Sequence, residues 1–363
     1  MKVNINKIRP ATVFLYNCIL LLFSSCAIDP QAWQSPEPRS FETGFNLNNK
    51  LLNIEKSDLL GYAGAEEFVS DKQGNIYTGV HAGPNDFSSG AILRIDKNGL
   101  VEEYLKTDAW VTGMAFDKDG NLLAMMNGVG LVRIIGNTID TLVSKTPSGQ
   151  PILMGTGLKI ASDGKVYFAN LSSTQQSSPK YFNKLILEMK KTGGVYCYDP
   201  NSKSIETISE GNYFANGLEL SPEEDYLLLS ETSKYRILRY WLKGENKGTS
   251  EVFMDNLPGF PNNIQRNKRG NYWLGFTTKR NKQLDGVHDK PGMKKLIYSL
   301  PAFLQPAPEK FGMVLEINCK AQIVRGLFDM EGQEVSEAGA VYEHDGYLYL
   351  GGDIVSYASK YKL

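Results

Sequence analysis

Residues 112–125 read TGMAFDKDGNLLAM: a short apolar strand, a polar turn that ends at Gly120, and a second, mostly apolar strand. The pattern occurs six times, and in five copies a glycine stands eight residues after the first position. In the fourth copy Glu224 takes the place of that glycine. The copies start at Glu66, Thr112, Thr156, Asn216, Asn262 and Ala338. Self-similarity of this kind is typical of repeat folds.

A second hairpin pattern follows most of the copies, for example in residues 91–105 and 130–143. Each unit therefore has four strands, and the shorter intervals between units are close to the ~40–45 residues of a β-propeller blade. The sixth unit reaches the chain end before it is complete, so we expect its outer strand to come from residues 51–55. This closure would leave no open sheet edge. The sequence predicts an all-β fold, a six-bladed β-propeller with four-stranded blades closed by an N-terminal strand.

The composition of the 363 residues excludes some classes of partner. Lys and Arg total 39 and Asp and Glu total 40, which gives a formal net charge of −1. Nucleic-acid binding requires a surplus of cations facing the phosphates, so no nucleic-acid partner is expected. The 35 glycines and 19 tyrosines suit strands and tight turns, whereas 3 histidines make a His-ligated metal site hard to build.

The first residues have the layout of a secretory signal. A cationic start precedes the apolar run of residues 11–23, which is too short to span the ~30 Å of a bilayer core. Ser24 and Ser25 directly before Cys26 resemble a bacterial lipoprotein signal, so Cys26 is the expected lipidation site. We therefore expect a signal peptide over 1–25, a tether over 26–50 and the propeller over 51–363. The protein would be a lipoprotein on the periplasmic face of a bacterial membrane; plain secretion and an uncleaved N-terminal anchor are the alternatives.

The first position of each copy is expected just before the first strand of its blade, at the mouth of the central channel, because that strand lines the channel. Five of the six residues in this ring carry a side-chain oxygen. Ca²⁺ takes ~6–8 oxygen ligands, so the ring predicts a cation site with Glu66 as its carboxylate and weak binding, in the ~10⁻⁴–10⁻³ M range. Alternatively, Thr112 and Thr156, like the Asn residues, make only local hydrogen bonds before a glycine.

Three insertions are expected on the same face as the ring, between the second and third strands of blades. They are residues 81–89, 172–191 and 277–310. The last contains an apolar pattern of helical spacing over residues 293–304, which predicts an amphipathic lid. Insertions on one face favour a covered pocket for a small molecule.

His81 and His288 lie in these insertions, and Glu231 ends a second strand that returns to the same face. With Thr112 and Thr156 they are the candidates for the substrate pocket. The alternatives are surface positions for the two histidines and an ion pair of Glu231 with a neighbouring Arg or Lys.

Three motifs occur in order at residues 214–232 (FANGLELSPEEDYLLLSET), 259–276 (GFPNNIQRNKRGNYWLGF) and 342–352 (YEHDGYLYLGG). Together they resemble the strictosidine synthase-like family, which belongs with the gluconolactonases and paraoxonases. The resemblance covers roughly residue 64 to the chain end. It implies a six-bladed propeller with lactone or aryl-ester hydrolysis at a Ca²⁺ in the channel, or the amine–aldehyde condensation of the plant enzyme.

Residue by residue, the resemblance implies metal ligands at Glu66, Asn216 and Asn262 and catalytic roles for Glu66 and Asn262. The family usually has Asp where this chain has Asn262, and Asn where it has Thr156, which argues for weak Ca²⁺ binding. The essential Glu of the condensing enzyme corresponds to Gly339, which argues against condensation.

Two classes of function follow from the sequence. The first is a Ca²⁺-dependent hydrolase of lactones or simple esters. The second is a non-catalytic propeller that binds a small ligand or serves as a scaffold, with a degenerate metal site.

Overall fold

The structure, a computed structural model, describes residues 28–41, 45–174 and 177–363. The predicted signal peptide and Cys26 lie outside these residues. The described residues form six four-stranded antiparallel sheets arranged in a ring, which confirms the six-bladed propeller. None of the helices in this part of the chain is long and apolar enough to cross a membrane.

Five blades are continuous in the chain. The first contains β2 (Phe68–Ser70), β3 (Ile76–Gly83), β4 (Asp86–Ile95) and β5 (Val101–Thr107). The second contains β6 (Val111–Phe116), β7 (Leu122–Met126), β8 (Gly130–Ile135) and β9 (Thr138–Val143). The third contains β10 (Gly155–Ile160), β11 (Val166–Asn170), β12 (Gly193–Asp199) and β13 (Ser204–Asn212). The fourth contains β14 (Ala215–Leu220), β15 (Tyr226–Glu231), β16 (Arg236–Trp241) and β17 (Ser250–Met254). The fifth contains β18 (Gly259–Arg266), β19 (Tyr272–Lys279), β20 (Gly312–Ile317) and β21 (Ile323–Asp329).

The sixth blade joins the two ends of the propeller. It contains β22 (Ala340–His344), β23 (Tyr347–Gly351) and β24 (Tyr357–Lys362), with β1 (Ile54–Asp58) as its outer strand. The register pairs Ile54 with Tyr361 and Asp58 with Tyr357. The predicted closure is therefore confirmed, with the strand starting three residues later than expected, because residues Lys50–Leu52 form a short 3₁₀ helix.

The hydrophobic core lies between neighbouring blades, as β7 shows. All five residues of this strand are buried. Leu122, Ala124 and Met126 pack with side chains of the first blade, whereas Leu123 and Met125 pack with side chains of the third. Because successive side chains point to opposite faces of a sheet, a strand covered on both faces is apolar throughout.

The turn glycines of the repeat adopt the left-handed conformation that glycine tolerates best. Gly74 and Gly120 have φ of 83° and 86°. In the fourth blade Glu224 takes the same conformation, with φ of 53°. Its carboxylate accepts hydrogen bonds from the Ser162 amide at 2.7 Å and hydroxyl at 2.8 Å, which offset the cost of a non-glycine residue there.

Two of the insertions contain helices. Residues 172–191 contain α1 (Pro179–Glu188), whose N-terminus is capped by Ser178. Residues 277–310 contain α2 (Lys282–Asp285), α3 (Pro291–Ser299) and a 3₁₀ turn (Ala302–Leu304). The helix expected from the apolar spacing over residues 293–304 is thus confirmed up to Ser299.

The segment before the propeller lies against these insertions. The Gln31 amide donates to the Glu188 carbonyl at 2.8 Å, and Lys294 Nζ donates to the Gln31 carbonyl at 2.7 Å. Arg280 Nη2 donates to the carbonyl of Pro36 at 2.6 Å. The segment predicted as a tether therefore contacts α1 and α3, and the division at residue 50 stays a prediction.

Candidate functional site

Most ring residues lie within bulges of the first strands. The register shifts between Val111 and Met114, Gly155 and Leu158, Ala215 and Leu218, and Pro261 and Ile264. These shifts enclose Thr112, Thr156, Asn216 and Asn262, so the expectation that ring residues precede their strands holds only for Glu66 and Ala338. A bulge redirects a side chain out of the regular alternation, which aims these residues at the channel.

The glycine after a ring residue allows the next blade to approach closely. A Cβ atom on Gly157 would lie 2.7 Å from the amide nitrogen of Leu218, and one on Gly217 would lie 2.5 Å from the Cα atom of Asn263. A Cβ atom on Gly113 would clash with the carbonyl oxygen of Thr156. The repeated Thr-Gly and Asn-Gly pairs are therefore a packing requirement of the ring.

The ring opens into a small cavity of about 20 Å³, which has room for about one water molecule. Its apolar wall consists of Trp110, Met154, Leu171, Phe182 and Phe214. Its polar wall includes Glu66, Thr112, Asn127, Thr156, Ser177, Asn216 and Asp353. An apolar pocket with a few convergent polar groups is the usual form of a small-molecule site.

Four buried side-chain oxygens at or next to this cavity have no hydrogen-bond partner among the described residues. They are Glu66 Oε2, Asn127 Oδ1, Asn216 Oδ1 and Asn262 Oδ1. Buried polar atoms without partners are rare and require an explanation. Four acceptors around one channel mouth are the donor set of a hard cation.

The orientation of the Asn216 amide follows from its surroundings. The Thr232 hydroxyl donates to the Pro261 carbonyl at 2.7 Å, so its oxygen must accept from the Asn216 amide nitrogen, 3.2 Å away. In Asn262 the amide nitrogen donates to Thr277 Oγ1, also at 3.2 Å. In both residues the NH₂ group is engaged by a threonine hydroxyl, and Oδ1 is left without a hydrogen-bond partner among the described residues.

Two carboxylates share the cavity wall. Asp353 Oδ1 lies 3.4 Å from Asn262 Nδ2, and burial raises the pKa of Asp353 to about 6. Burial, followed by the charge of Asp353, raises the pKa of Glu66 well above its usual value. Electrostatic repulsion between these groups would be relieved by a bound cation.

The two ring threonines use their hydroxyl protons within the scaffold. Thr112 Oγ1 donates to the Gly155 carbonyl at 2.7 Å, and Thr156 Oγ1 donates to the carbonyls of Ala215 and Asn216, each at 3.2 Å. These bonds join successive blades. Both threonines line the cavity, and their hydrogen bonds reach the next blade rather than the neighbouring residues of the predicted local alternative.

The structure corrects the positions expected for both histidines, which are fully buried and do not line the cavity. The ring nitrogens of His81 contact the Gly83 and Asp353 carbonyls at 2.8 and 2.7 Å. His288 packs edge-on against Trp33 and lies 3.3 Å from the Tyr235 hydroxyl. Burial, with nearby cations, lowers the pKa of His288 to about 3, so it is a neutral core residue.

Glu231 is also outside the cavity lining, which corrects its assignment to the pocket. Its carboxylate accepts from Arg236 Nε at 2.6 Å and from the Tyr213 amide at 2.9 Å. The side chain is 1% exposed and its ion pair is the structural alternative expected for it.

The cavity is covered by a different insertion from the one predicted. Ser177 and Phe182, from residues 172–191, line it, whereas residues 293–304 do not. In α3, Met293 and Leu296 are 44% and 54% exposed, and Phe303 beyond it is 84% exposed. The apolar spacing identified the helix but not what the helix covers.

Sequence reasoning missed Trp110, Asn127 and Asp353. Asn127 directly follows β7, and Asp353 follows β23 by two residues. Glu231 was proposed because second strands return to the ring's face. The same argument applies to these two residues and could have predicted them.

Any cation here would depend on amide oxygens as well as carboxylates. Within residues 28–41, 45–174 and 177–363, no three His, Cys, Asp or Glu side chains are grouped as a metal site. The fit to Ca²⁺ therefore rests on the free oxygens of Glu66, Asn216 and Asn262, since Ca²⁺ accepts neutral carbonyl ligands.

Comparison with known proteins agrees with this architecture. Residues 156–245 match the family described as Strictosidine synthase, and residues 44–84 match Strictosidine synthase-like, N-terminal. Among solved structures, a gluconolactonase from Xanthomonas campestris has a TM-score of 0.60 at 16% identity, covering 92% of this chain and 96% of that one. The calcium-binding protein regucalcin from Agrobacterium tumefaciens has a TM-score of 0.55 at 11% identity, covering 85% and 93%. At these identities the likeness shows the fold alone.

A curated relative is closer in sequence. The adipocyte plasma membrane-associated protein of Mus musculus is 31% identical over an alignment of 363 positions. The alignment covers 93% of this chain and 84% of the relative. By this match the chain belongs to the strictosidine synthase-like family, together with the adipocyte plasma membrane-associated proteins.

Proposed function

We propose that this protein hydrolyses lactones or simple esters of small molecules in the cavity beside Glu66, with Ca²⁺ as its cofactor. The observation that carries the proposal is the set of free buried oxygens on Glu66, Asn216 and Asn262. The gluconolactonase-type fold agrees with it.

The residues around the cavity have separate roles in the proposed reaction. Glu66, Asn216 and Asn262 would hold the cation, which when bound supplies Lewis-acid polarisation of a substrate carbonyl. The apolar wall around Trp110 and Phe214 binds and orients the substrate and excludes water from it.

The proton of an attacking water needs an acceptor near the carbonyl. Asn262, expected to share the catalytic role, carries an amide that cannot accept this proton. The carboxylates on the cavity wall are Glu66 and Asp353, so the acceptor is one of this pair.

The test is hydrolysis of a panel of lactones and aryl esters by the purified protein, with Ca²⁺ and with a chelator. We expect a chelator to inhibit turnover. We also expect turnover to be at least ~100-fold lower in Glu66→Gln, because removal of a charged ligand weakens the site. Glu102→Gln, in the same blade and paired with Arg94 at the surface, is the matched control and should keep full activity.

A second candidate, a non-catalytic propeller that binds a small ligand, is favoured by the amide at Asn262. If folded protein cleaves nothing in the panel at any Ca²⁺ concentration, this second candidate replaces the first.

We further propose that the protein is exported and held at the membrane by a lipid on Cys26, with no membrane contact besides this anchor. The signal-like sequence of residues 1–26 supports this. Cys26→Ala should abolish incorporation of labelled fatty acid and move the protein from the membrane fraction to the soluble fraction. Membrane retention without a lipid would instead indicate an uncleaved N-terminal anchor.

A further inference from the structure

We propose that Asp353 supplies the second negative charge of the cation site, from the loop that follows the second strand of the sixth blade. The inference rests on the proposed Ca²⁺ site, and it assigns a further residue to that site.

The position of Asp353 meets the geometric requirement. It lines the same cavity as Glu66 and Asn216. One carboxylate oxygen lies 3.4 Å from the Asn262 amide nitrogen, a long contact that leaves the carboxylate available to a stronger partner. Asp353 thus joins the ring at the point where Asn262 offers only a neutral oxygen.

The loop that carries Asp353 is held from several sides. The backbone amide of Asp353 donates to Glu337 Oε1 at 2.9 Å, and that of Ile354 donates to Glu337 Oε2 at 3.4 Å. The carbonyl of Asp353 lies 2.7 Å from His81 Nε2. Gly352 allows the Glu337 side chain to approach the loop, since a Cβ atom on Gly352 would lie 2.5 Å from Glu337 Cγ.

These contacts give each group a separate role. Glu337 Oε1 accepts the Asp353 amide at 2.9 Å, so Glu337 is a positioning residue for this loop. His81 lies against the same loop, with its Nε2 2.7 Å from the Asp353 carbonyl. The Asp353 carboxylate takes part in neither bond and is held facing the cavity before any ligand arrives.

The charge balance points in the same direction. Asp353 shares the cavity with Glu66 and contacts Glu337 through its backbone amide, and in the described part of the chain no Lys or Arg forms an ion pair with any of the three. Lys159, in the first strand of the third blade, pairs with Glu67 and Glu219 instead. Glu66 is buried and Asp353 is half-buried. Carboxylates so placed without a counter-charge are costly, and a divalent cation bound between Glu66 and Asp353 would neutralise them.

The test is calorimetric titration of the purified protein with CaCl₂, a readout that does not depend on hydrolysis. Wild type is expected to bind one Ca²⁺. Asp353→Asn keeps the size of the side chain and removes its charge, so it should weaken binding at least ~10-fold, since Ca²⁺ affinity follows the number of charged ligands. Asp345→Asn, an exposed carboxylate in the same blade, is the matched control and should bind like wild type.

A double variant, Asn262→Asp with Asp353→Asn, moves the carboxylate to the neighbouring ring position and should recover most of the lost affinity. If Asp353→Asn does not fold, Asp353→Ser tests the same charge. Wild-type affinity in the folded single variant would overturn the role of Asp353 and leave the site at Glu66 standing. Absence of Ca²⁺ binding by wild type would overturn the proposed site itself, and this inference with it.

Discussion

The ammonium group of Lys159 lies 3.2 Å from Glu67 Oε1 and 3.8 Å from Glu219 Oε2. The three residues belong to the third, first and fourth blades, and each follows a ring residue by one to three positions. Both carboxylates are buried, and the Lys159 side chain is 16% exposed. The ion pairs therefore connect the first strands of three blades just beyond the ring residues.

Lys159→Met should destabilise the protein by ~3–5 kcal/mol at pH 7, because it leaves two buried carboxylates without a partner. Burial already raises the pKa of Glu67 despite Lys159, and loss of the lysine raises it further above the unfolded value. A raised carboxyl pKa penalises the folded state at high pH, so the deficit should shrink as the pH falls from 8 to 5. Urea denaturation of the variant and of wild type at several pH values measures this difference in the free energy of unfolding.

Lys165→Met is the matched control, because Lys165 pairs with Asp163 at 3.8 Å on the surface. Exposed pairs contribute ~0–1 kcal/mol, so little change is expected. Equal stability of Lys159→Met and wild type at pH 8 would show that the channel ion pairs do not stabilise the ring.

Glu316 gives a prediction with the opposite pH dependence. Burial acts to raise the pKa of Glu316, but hydrogen bonds from Asn271, Arg325, Asn267 and Arg269 together lower it. A lowered carboxyl pKa adds stability above the unfolded value, which is lost as the pH falls through the folded pKa. Glu316→Gln should therefore cost ~2–3 kcal/mol at pH 7, the range of hydrogen bonds to charged groups, and progressively less below about pH 4.5.

The measurement is guanidinium or thermal unfolding of Glu316→Gln between pH 3.5 and 7. Glu251→Gln provides the control, because its pair with Arg239 is on an outer strand and Glu251 is 49% exposed. A deficit for Glu316→Gln that grows on acidification would contradict the lowered pKa.

Thr156→Val separates a scaffold role from a cation-ligand role at the ring. The hydroxyl donates to the carbonyls of Ala215 and Asn216, so its loss should cost ~1 kcal/mol and lower Tm by a few degrees. Ca²⁺ affinity should change less than ~2-fold, whereas Asn216→Leu, which removes a free oxygen, should weaken it at least ~10-fold. A Thr156→Val variant that loses as much affinity as Asn216→Leu would make Thr156 a ligand.

Gly113→Ala tests whether the glycine after the ring residue is required for packing between blades. The added methyl would clash with the Thr156 carbonyl, and overpacking of this kind costs ~1–3 kcal/mol. Gly292→Ala, in α3 with no atom within 4 Å of the new Cβ, should be neutral or stabilising by up to ~1 kcal/mol. Similar unfolding midpoints for the two variants would remove the packing explanation for the Thr-Gly pairs.

The sequence was sufficient for the fold because each blade repeats a local pattern, and the turn glycines and the alternating strands are local features. The ring was predictable for the same reason, since Glu66 and Asn216 share an offset from the turn. The histidines were not, because the burial of His81, in β3, and of His288 depends on contacts with residues distant in the sequence, such as Trp110 and Trp33. Asp353 was missed because the repeated pattern ends with its strand, and only the return of second strands to the ring's face points to it.

Phe182→Ala distinguishes the insertion that covers the cavity from the one that was expected to. The Phe182 ring packs against Phe87 and Phe214, with centroids 5.8 and 6.2 Å away, and forms part of the apolar wall. Under the proposed hydrolysis, its removal should raise KM for apolar esters ~10-fold with a smaller change in kcat, because it removes binding surface rather than a reacting group. Phe303→Ala, in the other insertion and 84% exposed, is the matched control and should leave both constants unchanged. If KM rises in Phe303→Ala and is unchanged in Phe182→Ala, residues 293–304 cover the substrate site instead.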